Sequence, residues 1–170
     1  MKKTVKIKGL QIWRQGIQTK TTLKYYKTKE KPAYEAFYDG SWESSLLFKA
    51  RSGALETRDR TNRWREDNWW CEWCLRENVR ARETIEHLLV ECGNYTQARR
   101  ELEHIFQEEY GVQEWEVRKQ GEDQGINTVL GFQDPTPNTI QATKLFLRRI
   151  WKNRLNIEGG HIHIGDHNCY

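Results

Sequence analysis

The sequence lacks any apolar run of the roughly 18 residues that are needed to cross a membrane. The charged residues 1–8 are not followed by an apolar segment, which argues against a secretory signal. Hydrophobic residues make up only 36% of the 170 positions, and the mean hydropathy is -0.94. We therefore expect an intracellular protein, nuclear or cytoplasmic, with no membrane partner and a modest aliphatic core.

Large machines and simple disorder are also excluded. A chain of 170 residues is too short for a complete polymerase or kinase. Eight Trp, seven Tyr and five Phe argue against disorder, because disordered chains are poor in aromatic residues. The apolar material is concentrated in a few large rings.

Positive charge is concentrated near the N-terminus. Residues 1–31 carry ten Lys or Arg and one acidic residue, a local charge of +9, within a net charge of +4. Apolar residues at roughly helical spacing predict an amphipathic helix over 9–29, which Pro32 would end. A basic arm of this kind favours polyanionic partners.

The rest of the chain predicts a mainly α fold, a small helical domain organised around one structural zinc site. Helices are expected from Ser41, from Thr84, over 95–109 with Gly111 as the stop, and from Pro137 to about Leu155. Residues 128–132 could form a short strand or an extended segment. The predicted organisation is a basic N-terminal helical arm at 1–34, a zinc-binding helical domain at 35–111, an extension ending in a basic amphipathic helix at 112–155, and a flexible C-terminal tail at 156–170.

One motif carries metal chemistry: Cys71, Cys74, His87 and Cys92, spaced C-x2-C-x12-H-x4-C. Three sulfurs and one imidazole suit a tetrahedral Zn²⁺, and four protein ligands leave no open position, so the site would be structural. His87 and Cys92 would lie on one side of a helix. The alternatives are buried thiols with a core histidine, or a redox CxxC pair.

A basic strip precedes the motif and includes Lys49, Arg51, Arg58, Arg60, Arg63 and Arg65. It is either a solvated helix and loop or a set of phosphate contacts. Four tryptophans, Trp64, Trp69, Trp70 and Trp73, could stack on bases or cover the metal; covering is favoured for Trp73 and for at least one of Trp69 and Trp70. The histidines near the C-terminus could bind a metal adventitiously, but we expect a flexible tail.

Residues 46–92 resemble the zinc-binding region near the C-terminus of non-LTR retrotransposon reverse transcriptases. The resemblance rests on Leu47-Phe48-Lys49-Ala50-Arg51-Ser52-Gly53, on Thr57-Arg58-Asp59-Arg60 with Trp64, and on CxxC followed by Glu83-Thr84-Ile85-Glu86-His87-Leu88-Leu89-Val90-Glu91-Cys92. Looser matches extend it over about 35–154.

The resemblance implies a nucleic-acid-binding tail that contacts template RNA or target DNA, beside a reverse-transcriptase core in a parent polyprotein. It does not imply an enzyme, because the chain contains no Asp-Asp pair of the kind a polymerase palm uses. The alternative is a protein-interaction or scaffold module that packs on a polymerase domain or a host protein.

Overall fold

The computed structural model describes residues 2–29, 31–65 and 68–158, without the side chains of 2–6, 122, 157 and 158. The fold is mainly α, as predicted: 68% is helical and no strand forms in the described part. The helices are α1 Lys2–Gln18, α2 Trp42–Arg51, α3 Arg58–Thr61, α4 Glu72–Arg76, α5 Thr96–Tyr110, α6 Val112–Arg118, α7 Glu122–Val129 and α8 Pro137–Glu158. Shorter turns are 3₁₀-helical at Thr21–Thr28 and Gly93–Tyr95 and π-helical at His87–Glu91.

Helix α8 is the centre of the packing, with α2 and α5 against it. It begins as predicted with Pro137 at its first position, where the Thr136 hydroxyl accepts a hydrogen bond from the backbone N–H of Thr139. Its buried stripe includes Phe146, Leu147 and Ile150 at helical spacing. The helix extends three residues beyond the expected end at Leu155.

Helix α2 begins, and helix α5 ends, where the sequence predicted. Ser41 caps α2 by accepting a hydrogen bond from the backbone N–H of Ser44. Helix α5 buries Ala98, Leu102 and Phe106 and ends at Gly111, whose φ of 84° favours glycine.

The expectation of one helix over 9–29 is wrong in detail. Helix α1 ends at Gln18, and the chain turns through Thr19 and Lys20, whose backbone is extended, into the 3₁₀ turn. Two β-branched threonines follow and disfavour continuation of the helix. The turn brings Tyr25 into the core, where its hydroxyl donates a hydrogen bond to Glu86.

The expected strand at 128–132 is also wrong, because Thr128 and Val129 form the last turn of α7. Ile126, Val129 and Leu130 are buried at helical spacing. Gly131 then turns with φ of +72°, and an added Cβ would lie only 2.4 Å from Ile140 Cδ1.

One hydrophobic cluster runs from Tyr25 to Trp151 and draws on residues within three of the predicted ranges, 1–34, 35–111 and 112–155. Most of the expected tail, residues 159–170, lies outside the described residues. Among the described helices, none combines the length and the apolar character that a membrane span requires.

Candidate metal centre

Cys71, Cys74, His87 and Cys92 converge as the sequence predicted, and we call them the metal centre. All four are buried, and their ligand atoms lie within 4.8 Å of one another. Cys71 precedes α4, Cys74 lies within it, His87 opens the π-helical turn and Cys92 follows it. The cluster could hold a single metal ion.

The first two ligands lie on a hairpin-like turn. Cys71 donates its backbone N–H to the carbonyl of Ala81 (2.8 Å), and an isolated antiparallel bridge joins Trp70 to Arg82. The return of the chain is fixed by the backbone N–H of Val79, which donates to the carbonyl of Cys74 (2.8 Å). Asn78 accommodates the turn with a positive φ of 60°.

The other two ligands share a face only because the helix widens between them. Residues five apart in a regular α-helix point about 140° apart, so a standard helix would separate His87 from Cys92. Here the backbone N–H of Cys92 donates to the carbonyl of His87 (2.8 Å), a π-type bond that spans one residue more than an α-helical bond. The expectation that an ordinary helix would align both ligands is therefore corrected.

Glu91 is a neighbour of the metal centre that the sequence reasoning missed. Its Oε2 lies 3.1 Å from His87 Nδ1, the ring nitrogen that does not contact Cys74. His87 Nε2 lies 3.4 Å from Cys74 Sγ. A carboxylate on the far nitrogen fixes the tautomer of a ligating histidine, and the signal was a glutamate four residues after His87.

The four side chains of the metal centre shift one another's pKa values. Hydrogen bonding with Cys92, and further bonds with His87 and the backbone of Cys74, lower the pKa of Cys71 to about 4. Burial and the neighbouring Cys71 thiolate raise the pKa of Cys74 to about 11. Burial lowers the pKa of His87, but hydrogen bonds to Cys71 and Glu91 outweigh it and raise the pKa. The protein alone therefore stabilises one thiolate in the metal centre, and a bound cation would add further stabilisation.

Of the four tryptophans near the motif, three are half-buried and one is exposed. Trp69, Trp70 and Trp73 are half-buried, and Trp73 packs on the hydrophobic cluster beside the metal centre. Trp64 is 90% exposed. Trp69 and Trp70 meet edge to face, with ring centroids 6.1 Å apart.

Arg51 is a correction to the basic strip, because its side chain is 0% exposed and cannot reach a phosphate on a partner. It donates to Glu35 (2.6 Å) and lies against the rings of Phe37 and Phe132, at 5.0 and 4.1 Å from their centroids. Tyr26 and Tyr38 complete what we call the Arg51 cage.

The remaining basic residues fall into two groups. Arg58 pairs with Glu72 at 2.6 Å and is mostly buried, and Lys49 pairs with the exposed Glu56 at 3.0 Å. Arg60, Arg63 and Arg65 are exposed and have no ion pair with a described carboxylate. They lie on residues 57–65, which we call the α3 loop.

The α3 loop is tied to the metal-binding hairpin by Glu83, which is buried between them. Glu83 Oε1 accepts from the backbone N–H of Arg58 (2.8 Å) and from Arg154 Nε (2.7 Å). Burial raises the pKa of Glu83, against the opposing effect of Arg154. A second tie is the ion pair of Asp59 with Arg82 (2.6 Å).

A polar groove of about 230 Å³ separates the α3 loop from the 3₁₀ turn at Thr21–Thr28. Lys24, Arg60 and Arg63 line it, together with Asp59 and Glu86. The two acids already pair with cations, Asp59 with Arg82 and Glu86 with Lys24. The positive charge not offset by a described acid therefore comes from the two arginines.

Comparisons with protein-family models, with curated proteins and with solved structures find no match to this chain. Function therefore has to follow from the metal centre and the surfaces around it.

Proposed function

We propose that this chain is a nucleic-acid-binding zinc module that binds template RNA or target DNA and has no catalysis of its own. The observation that carries the proposal is the position of the α3 loop, which presents exposed arginines while fixed to the metal-binding hairpin through Glu83. A metal ion at the centre would thus order a cationic surface.

Zinc is the ion that the centre fits best. Zn–S bonds of about 2.3 Å in a tetrahedron place two sulfurs about 3.8 Å apart. Cys92 Sγ lies 3.8 Å from Cys71 Sγ and 4.0 Å from Cys74 Sγ. Soft sulfur donors with one imidazole favour zinc over magnesium or calcium, and four protein ligands leave no open position for catalysis. The metal would stabilise the fold of this region.

The cations near the groove would bind phosphates. Arg60 Nη1 donates to the carbonyl of Gly53 (2.7 Å), which leaves its other nitrogens for a partner. The exposed Trp64 lies on the same α3 loop and could stack on an unpaired base. This combination of arginines with an exposed ring favours a single-stranded target.

Binding to an RNA oligonucleotide, to single-stranded DNA and to duplex DNA across a salt series tests the proposal. We expect the affinity for single strands to fall steeply between about 50 and 300 mM salt. The double variant Arg60→Gln with Arg63→Gln should reduce the slope of log affinity against log salt concentration by about 1.4, because it removes two phosphate contacts. The matched control is Arg100→Gln with Lys152→Gln, two exposed cations on α5 and α8. An affinity independent of salt, or equal slopes for both double variants, would contradict the proposal.

Exposed apolar side chains favour a second candidate, a protein-interaction module that packs on a reverse-transcriptase core or a host protein. Phe48 on α2 and Leu145 on α8 are 52% and 49% exposed, and the two helices are joined by Glu43 and Arg148 (2.7 Å). Large exposed rings and aliphatic side chains are typical of interfaces when they cluster. A pull-down assay with a reverse-transcriptase core tests this candidate. It is favoured if the core captures the protein, if Phe48→Ser with Leu145→Ser abolishes the capture, and if the protein shows no salt-dependent binding to RNA.

A further inference from the structure

A polar pocket of about 410 Å³ opens beside the metal centre, and nothing in the proposed function uses it. It is lined by Trp73 and Arg76 of α4, Asn94 of the 3₁₀ turn Gly93–Tyr95, and Asn153 and Asn156 of α8. None of the described residues that line it is acidic. We call it the amide pocket.

The three asparagines of the amide pocket are exposed, so a ligand can reach their side chains from solvent. Asn153 and Asn156 lie three residues apart and therefore share one face of α8. Within the part of the chain that the structure describes, none of the three side-chain amides is hydrogen-bonded to protein. Each amide offers an acceptor oxygen and two donor hydrogens, so the pocket presents both kinds of group to one ligand.

Arg76 gives the pocket a planar, cationic wall. Its guanidinium lies over the ring of Trp73, 5.1 Å from the ring centroid, and its side chain is 55% exposed. Glu72 pairs with Arg76 (3.6 Å) and also with Arg58 (2.6 Å), so one carboxylate serves two guanidiniums and one positive charge remains. Unpaired bases stack on guanidinium planes and on aromatic rings.

The amide pocket is fixed relative to the α3 loop through Glu83. Arg154 lies between Asn153 and Asn156 in the sequence of α8, and its Nε donates to Glu83 Oε1 (2.7 Å). The same oxygen accepts from the backbone N–H of Arg58 in the α3 loop (2.8 Å). A strand that spans both surfaces would therefore meet them in one fixed arrangement.

We propose that the amide pocket binds one unpaired adenine of the strand whose phosphates contact the α3 loop, an inference that rests on the proposed function. An asparagine amide matches adenine, because it accepts from the N6 amino group and donates to N7. Guanine is matched best by an arginine fork, but Arg76 is already engaged by Trp73 and Glu72. The pocket has room for a two-ring base, since a cavity of about 150 Å³ already accepts benzene.

The first test compares two oligouridines of about nine nucleotides, one uniform and one with a single central adenosine, on the zinc-loaded full chain. We expect the oligomer with adenosine to bind about tenfold more tightly, and central guanosine or cytidine to change the affinity less than about threefold. The same comparison in oligothymidine, with and without a central deoxyadenosine, distinguishes RNA from DNA as the source of the base.

Asn153→Ala with Asn156→Ala should remove the preference for adenine and leave the affinity for the uniform oligomer unchanged. Both residues are exposed on α8 and alanine favours a helix, so we expect the fold to be retained. The matched control is Gln113→Ala with Gln141→Ala, which removes two exposed amides of α6 and α8 that do not line the pocket. Equal wild-type binding of both oligomers, or equal effects of the two double variants on the preference, would overturn the inference.

A second test separates this inference from the proposed function. Adenosine and uridine 5′-monophosphates are titrated into ¹⁵N-labelled protein, and the side-chain amide signals of Asn153 and Asn156 are assigned by their loss in the single alanine variants. We expect adenylate to shift both signals and to bind about fivefold more tightly than uridylate. Adenylate binding without salt-dependent binding of any oligomer would support the pocket and contradict the proposed function. Oligomer binding without a preference for adenine would overturn the pocket alone.

Discussion

The metal centre and the Arg51 cage are two polar clusters buried in one small protein, and they are held together differently. The metal centre takes its four ligands from two short segments within 22 residues of sequence. The Arg51 cage takes its rings and its carboxylate from residues 26 to 132, with a single guanidinium at its middle. The metal centre is built from residues close in sequence, and a cation would hold them together. The Arg51 cage forms only when segments far apart in the sequence pack against one another.

This comparison shows two ways to stabilise a chain that is poor in aliphatic residues. Thiolate and imidazole side chains can substitute for a hydrophobic core when they bind a metal ion, because the free energy of metal binding then adds to the free energy of folding. Aromatic faces replace a core when they solvate a buried cation through their negative quadrupoles. The two clusters should therefore respond differently to removal of their central charge.

The largest expected effect is loss of the metal centre. Cys74→Ala or His87→Ala should remove most of the free energy of unfolding, about 5 kcal/mol or more, because the remaining ligands cannot close the site. Thermal unfolding followed by circular dichroism, together with metal analysis, measures this. Cys169→Ala is the control and should leave metal content unchanged. A wild-type protein that keeps its melting temperature in strong chelator would contradict a structural metal.

The next largest effect is expected in the Arg51 cage. Arg51→Met should cost about 1.5–3 kcal/mol, since Glu35 loses its buried partner and keeps only Lys29, at 2.8 Å. Urea unfolding measures the cost, and metal stoichiometry should stay at the wild-type value. Lys49→Met, a partly exposed neighbour on α2, should cost less than about 1 kcal/mol. Loss of the metal in Arg51→Met would mean that the two clusters fold as one unit.

A smaller effect is expected at the carboxylate behind the histidine. Glu91→Gln should weaken metal binding about tenfold, because His87 loses the charge that orients its ring. Competition with a chromophoric chelator measures the affinity. Glu108→Gln removes a similarly spaced partner of His104, 3.6 Å away on the exposed face of α5, and should have no effect. Equal metal affinities of Glu91→Gln and Glu108→Gln would show that Glu91 does not contribute to metal binding.

The smallest effect concerns the contact between the 3₁₀ turn and the π-helical region. Burial raises the pKa of Glu86, but hydrogen bonds from Lys24 and Tyr25 outweigh it and lower the pKa to about 2. A carboxyl with a lowered pKa stabilises the fold above its ordinary pKa of 4.5, and this stabilisation disappears as the pH falls toward 2.

Glu86→Gln should therefore lower the free energy of unfolding by about 1 kcal/mol at pH 7. The difference from wild type should shrink as the pH falls below 4.5. Urea unfolding at several pH values measures this difference, and Glu56→Gln, an exposed acid, is the control. A difference independent of pH would show that the contact does not depend on the charge of Glu86.

The sequence was most informative where a pattern repeats within one or two helical turns. Ser41, Gly111 and Pro137 marked helix boundaries correctly, because caps act on the nearest backbone groups. It was wrong where a distant partner decided the conformation. The 3₁₀ turn that brings Tyr25 to Glu86 and the helical form of 128–129 both depend on packing against segments far along the chain.

The candidate site shows the same division. The sequence by itself determined which four residues form the candidate metal centre, because their types and spacing predict a sulfur-rich metal site before the fold is known. Only the tertiary structure decided which cations are free to bind a partner. Arg51 and Arg63 look alike in the sequence, yet Arg51 is enclosed by aromatic rings from elsewhere in the chain, whereas Arg63 faces solvent. The physical reason is that burial is set by contacts with residues up to about 80 positions away, which no local pattern contains.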